Sequence, residues 1–271
     1  MSGLESSMTD TGLTVFDLQS DSPFAARHLH VRDVALEMAA MRRLAAAFVD
    51  SPDTILQELV NTAVDMCGAD SAGISMERAE GDDANFYKWV ATAGEYTRFL
   101  NATLPRAPSA CGQCLERGKP QLFTVSQRFF DLMGIEAPTV TDGMLLPWEV
   151  DDMRGTIWVM AHGRTVAFDG NDFRMMQVLA EFAAMAVRHQ RQQAIIMTQA
   201  TAAAAAAMAN QLAHQINNPL QCLTNVVYLA SRNDSGRDHE LWADELSVHV
   251  QRLSSLVGKL LQLPYGAMLS K

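Results

Sequence analysis

The chain has little cysteine. Four Cys in 271 residues, with no basic, apolar and small-residue succession at the N-terminus, do not describe a secreted disulfide scaffold. Reduced thiols and a cytoplasmic location are the expectation. Basic residues are also short: 21 Lys+Arg stand against 31 Asp+Glu, a net charge of -10. That balance opposes the positive field that drives non-specific binding to nucleic acid or anionic membranes, so neither partner is expected. Apolar runs long enough for a membrane span are missing too. The one stretch without Asp, Glu, Lys or Arg, between Arg191 and Arg232, is interrupted by Gln192, Gln193, Gln199, Asn210, Gln211, His214, Gln215, Asn217, Asn218 and Pro219. No Gly-rich, Lys-containing phosphate loop and no repeat of 20 to 50 residues occurs.

What is present is a soluble globular composition, 48% hydrophobic and 19% charged, of a length that suits two modest modules. Beyond residue 200 there are five residues of each sign, so the whole -10 lies in the first part. Residues 1–30, rich in Ser, Thr, Asp and Gly, read as a flexible lead-in. Helical spacing begins near Val31, with Val34, Met38, Met41, Leu44, Ala45 and Phe48, and stops at Ser51-Pro52-Asp53. Asp53 reads as the cap of a second helix carrying Ile55, Leu56, Leu59, Val60 and Val64, which ends near Cys67-Gly68.

Five short runs with β-branched and aromatic residues follow: Ser71 to Met76, Asn85 to Thr92, Gln121 to Val125, Met144 to Val150 and Gly155 to Ala161. They predict an antiparallel sheet of five to six strands with an irregular insert at 94–120. After Phe168-Asp169 the helical period returns through Phe173, Met176, Leu179, Ala180, Phe182, Ala183, Ala186 and Val187, and nothing breaks it before Pro219. The order describes an α+β domain with helices flanking one sheet. Ala202 to Ala207 predicts a plain helical connector.

Along 212–230, Leu212, Ile216, Leu220, Leu223, Val227 and Ala230 form a bundle stripe. At about 100° per residue His214 points away from it, in the company of Gln211, Asn218 and Gln221. Pro219 predicts a kink one turn from the histidine. After a polar turn at Arg232-Asn233-Asp234-Ser235-Gly236, a second stripe runs Trp242, Leu246, His249, Leu253, Leu256, Leu260, Leu263 and closes at Pro264. Two such helices form a hairpin with too much apolar surface to stand alone; pairing two copies into a four-helix bundle covers it, so a homodimer is expected.

Leu212-Ala213-His214-Gln215-Ile216-Asn217-Asn218-Pro219-Leu220 resembles the phosphoacceptor box of sensor histidine kinases, H-E-x-x-N-P-L, at the start of their dimerisation and histidine-phosphotransfer hairpin. The resemblance implies His214 as the acceptor, a response-regulator receiver domain as partner, and Asn218 as the residue that positions water for dephosphorylation. Gln215 departs from the Glu or Asp that takes the histidine proton, because an amide orients but does not accept a proton. The family's next domain, with its Asn-rich and D-x-G-x-G boxes for ATP, has no counterpart in the eight residues after Leu263 or elsewhere. Autonomous kinase activity is therefore not expected, and ATP chemistry would come from a histidine kinase or ATP-binding domain in trans. The competing reading is a dimeric adaptor or pseudokinase that docks without carrying phosphate.

Leu145-Leu146-Pro147-Trp148, Gly155 through His162 and Phe168-Asp169 through Ala183-Ala184 resemble the last strands and closing helix of GAF domains placed ahead of histidine kinases. The resemblance implies a small-molecule sensor without naming the ligand. The layout is then a lead-in at 1–30, a GAF sensor at 31–190, an Ala-rich signalling helix at 191–210 and a hairpin at 211–271. Candidate cofactor-binding residues are Trp89, Cys111, Cys114 and His162; Phe86, Tyr96, Phe99, Phe129, Phe130 and Trp148 are further aromatics for a pocket or a core. Cys111-Gly112-Gln113-Cys114 lacks a second Cys pair, so no metal site is expected, and a thiol switch there is a third reading. Cys114 precedes Leu115 where bilin-binding GAF domains usually carry His, which argues against a chromophore.

Overall fold

The computed structural model describes residues 11–20, 22–77, 86–232 and 239–261. The chain divides into two compact units, one up to Arg191 and one from Gln192. In the first, the elements run β1 (Leu13–Asp17), α1 (Ser22–Ala25), α2 (Val34–Asp50), α3 (Ile55–Cys67), β2 (Ser71–Glu77), β3 (Phe86–Gly94), β4 (Thr103–Pro105), α4 (Ala110–Arg117), β5 (Gln121–Val125), α5 (Gln127–Met133), β6 (Val140–Val150) and β7 (Met153–Ala161). Helix α6 (Gly170–Arg232) begins there and α7 (His239–Leu261) follows it.

Among the described residues seven strands form one antiparallel sheet in the order β1-β5-β6-β7-β2-β3-β4. Two strands were not expected. Residues 13–17 are an edge strand paired with β5 rather than part of a flexible lead-in: Leu13 and Val15 turn inward while Thr14 and Phe16 face out, and with Phe16 on the outer face the five residues carry no clean apolar-polar alternation to be read from sequence. The insert at 94–120 is not irregular throughout: it supplies β4 and then α4, whose Ser109 cap accepts a hydrogen bond from the Gly112 amide at 2.9 Å.

Period-two alternation divides the sheet into two cores. Leu146, Trp148, Ile157 and Val159 face one side, where α3 and α6 cover them with Leu59, Val60, Ala63, Met176, Leu179 and Ala183. Leu145, Trp158 and Met160 face the other, under α4 and α5. Each large aliphatic side chain so buried stabilises the fold by about 1.5–3 kcal/mol before entropy is counted. Helix α2 begins at Val34 rather than Val31, because the Asp33 carboxylate accepts from the amides of Ala35 and Leu36 and so caps it there. Its Ala40 and Leu44 are buried, whereas Val34 and Met38 are exposed. Asp53 does not cap α3: it lies in a 3-10 turn, Pro52–Thr54, and the cap position falls to Thr54.

The β6–β7 hairpin turns at Asp151, which takes a left-handed φ of 55° that Asp tolerates better than most residues. Arg188 holds Asp151 at 2.9 Å and Arg191 pairs with Asp152, so α6 grips the hairpin tip through solvated contacts. The start of α6 is fastened more deeply. Asp169 accepts the amides of Asn171 (2.6 Å) and Asp172 (3.2 Å), and Asp172 returns a bond from the Asp169 amide (2.8 Å), a reciprocal cap.

In the second unit α6 stays helical through Pro219. The buried seam differs from the predicted stripe. Ala205, Ala209, Leu212, Ile216, Pro219, Leu223, Val226 and Ala230 are turned inward, at spacings alternating four and three, whereas Leu220 and Val227 are 45% and 57% exposed. A strict 3.5-residue repeat keeps one line facing the neighbouring helix, and Leu220 and Val227 sit one residue, about 100°, past it. On α7 the inward line is Trp242, Leu246, His249, Leu253 and Leu256, as predicted. The turn residues 233–236, the side chain of Leu260, and Leu263 with Pro264 lie outside the described residues. No described helix is long and apolar enough to cross a membrane.

Candidate functional site

The sheet face under α4 and α5 encloses a cavity of about 80 Å³. Its wall is built from cross-strand pairs in which glycine faces an aromatic ring. Gly73 of β2 pairs with Trp158 of β7, and a Cβ on Gly73 would meet the indole at 2.1 Å. Gly143 of β6 pairs with Phe123 of β5, where a Cβ would meet the ring at 2.5 Å. Both rings therefore lie flat over their neighbours. Trp158 then meets Trp89 with centroids 4.9 Å apart, and Tyr96 and Phe99 join them at 5.2 Å from each other. Such tilted and edge-to-face packing is favourable beyond the area it buries.

Of the candidate ligand-binding residues, Trp89 and Cys111 line the cavity. Tyr96, Phe99, Phe129 and Phe130 join them; Trp148 lies on the opposite core and Phe86 is partly exposed. Trp158 and Phe123 were not singled out from sequence. The alternation of β7, which separates Trp158 and Met160 from Ile157, Val159 and Ala161, carries the signal that would have found the first. His162 is not in the wall. Its Nδ1–H donates to the Thr139 carbonyl at 2.9 Å, its Nε2 accepts from the Ser71 hydroxyl at 2.8 Å, and its ring stacks on Tyr96 at 5.0 Å. Both ring nitrogens are engaged, so this histidine fastens the end of β7.

The two cysteines occupy successive turns of α4 and are buried and free. Burial is the largest influence on Cys111 and pushes its thiol up, against hydrogen bonds that lower it; Thr156 donates to its sulfur at 3.3 Å. Burial also pushes the Cys114 thiol up, and that thiol donates to the Lys119 carbonyl at 3.3 Å. A reactive cysteine is an exposed thiolate. These are buried neutral thiols, which argues against the thiol-switch reading.

His30, Asp169 and Asp172 lie within metal-like reach of one another. Their oxygens are already spent: Asp169 accepts the His30 backbone amide, the His30 ring and the two amides of the cap, while Asp172 accepts the Asp169 amide and pairs with Arg32. The group is a helix cap that ties residues 30–32 to α6. Burial works to raise the Asp169 carboxyl, but the amides it accepts outweigh this and hold it below its ordinary value. A carboxylate whose folded pKa is depressed contributes stability above its unfolded value, and this is lost as pH falls through the folded one. Asp169→Ala is therefore expected to cost about 1–2 kcal/mol near pH 7. In urea melts at stepped pH the difference from wild type should shrink below about pH 4, where the unfolded carboxyl protonates.

In the second unit His214, Gln215 and Asn218 are all exposed, and His214 and Asn218, four residues apart, share a helix face turned away from the α7 seam.

A seven-stranded antiparallel sheet with helices on both faces and a cavity on one of them defines an α+β fold. A family model described as "GAF domain" matches residues 49–188, more than half of the chain, and the chain belongs to that family. The match leaves the hairpin outside it. Among solved structures the chain is similar to the GAF domain of an Acinetobacter phosphoenolpyruvate-protein phosphotransferase, with 16% identity, 59% of this chain and 97% of that one covered, and a TM-score of 0.46. It is also similar to a phycocyanobilin-bound GAF domain of a cyanobacterial phytochrome, with 15% identity, 61% and 98% covered, and a TM-score of 0.45. The chain is similar as well to free methionine-R-sulfoxide reductase of Neisseria meningitidis, solved with its substrate, with 15% identity, 62% and 99% covered, and a TM-score of 0.45. No curated protein matches the chain.

Proposed function

We propose that this protein is a dimeric two-component signalling protein in which the GAF unit binds a small molecule and the hairpin carries a phosphoryl group on His214. The observation that carries the reading is that one continuous helix packs into the sheet core and then carries His214. The first turns of α6 supply Met176, Leu179 and Ala183 to the core of the sheet, and the same helix later presents His214 to solvent. A neutral imidazole is nucleophilic near pH 7, and an exposed one on a rigid helix is accessible to a receiver aspartate.

Gln215 favours an acceptor over a self-phosphorylating kinase, because the neighbouring carboxylate that would take the histidine proton is absent. Asn218, one turn further along and exposed, is the residue this reading assigns to orienting water at a phosphorylated partner.

Homodimerisation rests on a second apolar face. Leu220 and Val227 on α6, and Val250 and Val257 on α7, each follow a seam residue by one position and are 45%, 57%, 51% and 47% exposed. In antiparallel helices a rotation of about 100° from the shared seam carries both sets to the same side of the hairpin. A second hairpin covers that side, as in a four-helix bundle.

The test is phosphotransfer from a phosphorylated receiver domain or a histidine kinase encoded beside this reading frame. Wild type is expected to take up acid-labile label and His214→Ala to take up none. Equal labelling of the two proteins would overturn the assignment, and signalling retained by His214→Ala would favour the adaptor that docks without phosphate.

A further inference from the structure

We propose that the cavity takes a neutral, single-ring aromatic molecule bearing one hydrogen-bond acceptor, which receives the indole N–H of Trp89 or Trp158. The inference rests on reading the cavity as the ligand site and goes on to say what class of molecule enters it.

Three observations set the class. The first is charge: none of the described residues that line the cavity is Asp, Glu, Lys, Arg or His. A carboxylate, phosphate or ammonium moved there would leave water with nothing to replace its hydration, which is costly enough to keep it out.

The second is the state of the polar groups. Tyr96 donates its hydroxyl to the Pro138 carbonyl at 2.9 Å. Ser109 donates to the Arg106 carbonyl at 3.1 Å while accepting the Gly112 amide, and the Cys111 sulfur accepts from Thr156. The indole nitrogens of Trp89 and Trp158, residues only 7% and 1% exposed, have no acceptor. Buried donors in native proteins are nearly always satisfied, so two unspent N–H groups on residues that line one cavity point to an acceptor supplied from outside the chain once the wall adjusts around it. Trp148 also lacks an acceptor, but it belongs to the opposite core and serves as a control.

The third is size. About 80 Å³ is roughly half the ~150 Å³ of a dry engineered cavity that takes up benzene. One ring fits once the partly exposed rim at Phe99, Leu104 and Ile135 gives way. A tetrapyrrole or cyclic nucleotide needs a pocket of about 300 Å³ or more. Ring faces of Trp89, Phe123 and Trp158 in the wall suit an aromatic guest over a branched aliphatic one.

The experiment is calorimetric titration of the full chain at pH 7 with acetophenone, toluene, benzoate and phenyltrimethylammonium, then with cyclic GMP. Acetophenone is expected to bind at least tenfold more tightly than benzoate or phenyltrimethylammonium, and several-fold more tightly than toluene. Trp89→Phe or Trp158→Phe should bring acetophenone down to the level of toluene, whereas Trp148→Phe should leave it unchanged. Because Trp158 is central to its core, Trp89→Phe is the decisive variant if Trp158→Phe does not fold. An unchanged acetophenone-to-toluene ratio in folded Trp89→Phe and Trp158→Phe overturns the role of the indoles. Benzoate, phenyltrimethylammonium or cyclic GMP binding as tightly as acetophenone, with that binding lost when Ala102, a residue of the cavity lining, is enlarged in Ala102→Phe, overturns the ligand class but leaves the cavity as the ligand site. No binding of any probe overturns both.

Discussion

Asp142→Ala is expected to destabilise the sheet unit by about 3–5 kcal/mol, the cost of breaking a buried ion pair from one side. Asp142 is the third residue of β6 and is only 4% exposed. Its carboxylate accepts from Arg27 at 2.7 Å and from the amides of Ala167 at 2.8 Å and Phe168 at 3.3 Å. Arg27 also donates to the Phe168 carbonyl at 2.6 Å and lies over the Phe24 ring. One carboxylate thus clips the segment after α1 and the loop before α6 to the same strand. Removing it strands a guanidinium and two amides, and each buried unsatisfied donor costs about 1–3 kcal/mol. Arg27→Ala should cost less, because the carboxylate keeps both backbone amides. A domain of this size is stable by about 5–15 kcal/mol, so the loss is a large fraction of the whole. Melting followed by near-ultraviolet circular dichroism, which reports Trp89, Trp148 and Trp158, should fall by roughly 10 °C. A drop of less than about 2 °C would mean that water or a rearranged loop replaces the carboxylate.

The second large effect is expected at the hairpin. Leu220→Glu combined with Val257→Glu should convert the proposed dimer to monomer, raising its dissociation constant at least 100-fold. Burying a Leu or Val side chain contributes about 1.5–3 kcal/mol. A two-fold interface repeats each substitution, so four apolar contacts are lost and four carboxylates face each other. Sedimentation velocity across a concentration series measures the change. Leu223→Glu is the contrast: Leu223 lies on the seam between α6 and α7, so its replacement should lower the helical melting temperature rather than dissociate an otherwise intact hairpin. Dimers that persist in the double variant would place the subunit contact elsewhere. The GAF unit also exposes Val34, Leu36 and Met38 on α2, and these would be the next residues to replace.

Much of the architecture was legible because burial on one side of an element leaves a period in the chain. The α6 run Met176, Leu179, Ala180, Ala183, Ala186 and Val187 is buried as its spacing predicted, and so are Ile55, Leu56, Leu59 and Val60 of α3. Strands β5, β6 and β7 fall where β-branched runs were read. The exposed position of His214 followed from the same angular arithmetic. Short elements escaped. β1 and β4 have five and three residues, too few for alternation to rise above a polar background, and they exist because an already formed sheet offers them an edge.

The hairpin separates two kinds of information. Apolar residues at 219, 220, 226 and 227 make either of two stripes compatible with the spacing, and only the packing of α7 decides that Pro219 and Val226 turn inward while Leu220 and Val227 do not. Periodicity identifies an amphipathic face to within about one residue, whereas contact with a neighbour selects one line of side chains within it.

The candidate site divides in the same way. Residue type and spacing were sufficient for the GAF resemblance, because these are properties of the chain in order. The cavity was not readable in that order. It depends on Gly73 lying beside Trp158 and Gly143 beside Phe123, pairs separated by 85 and 20 positions and joined only by strand register. The state of each polar group was equally hidden, since a histidine or cysteine looks the same in sequence whether its hydrogen bonds are made or not. His162 proved fully engaged, Cys111 and Cys114 buried and neutral, and the indoles of Trp89 and Trp158 unspent. Local order in the chain specifies which elements form and which face each presents; which groups meet, and which remain free for a ligand, is decided by long-range pairing.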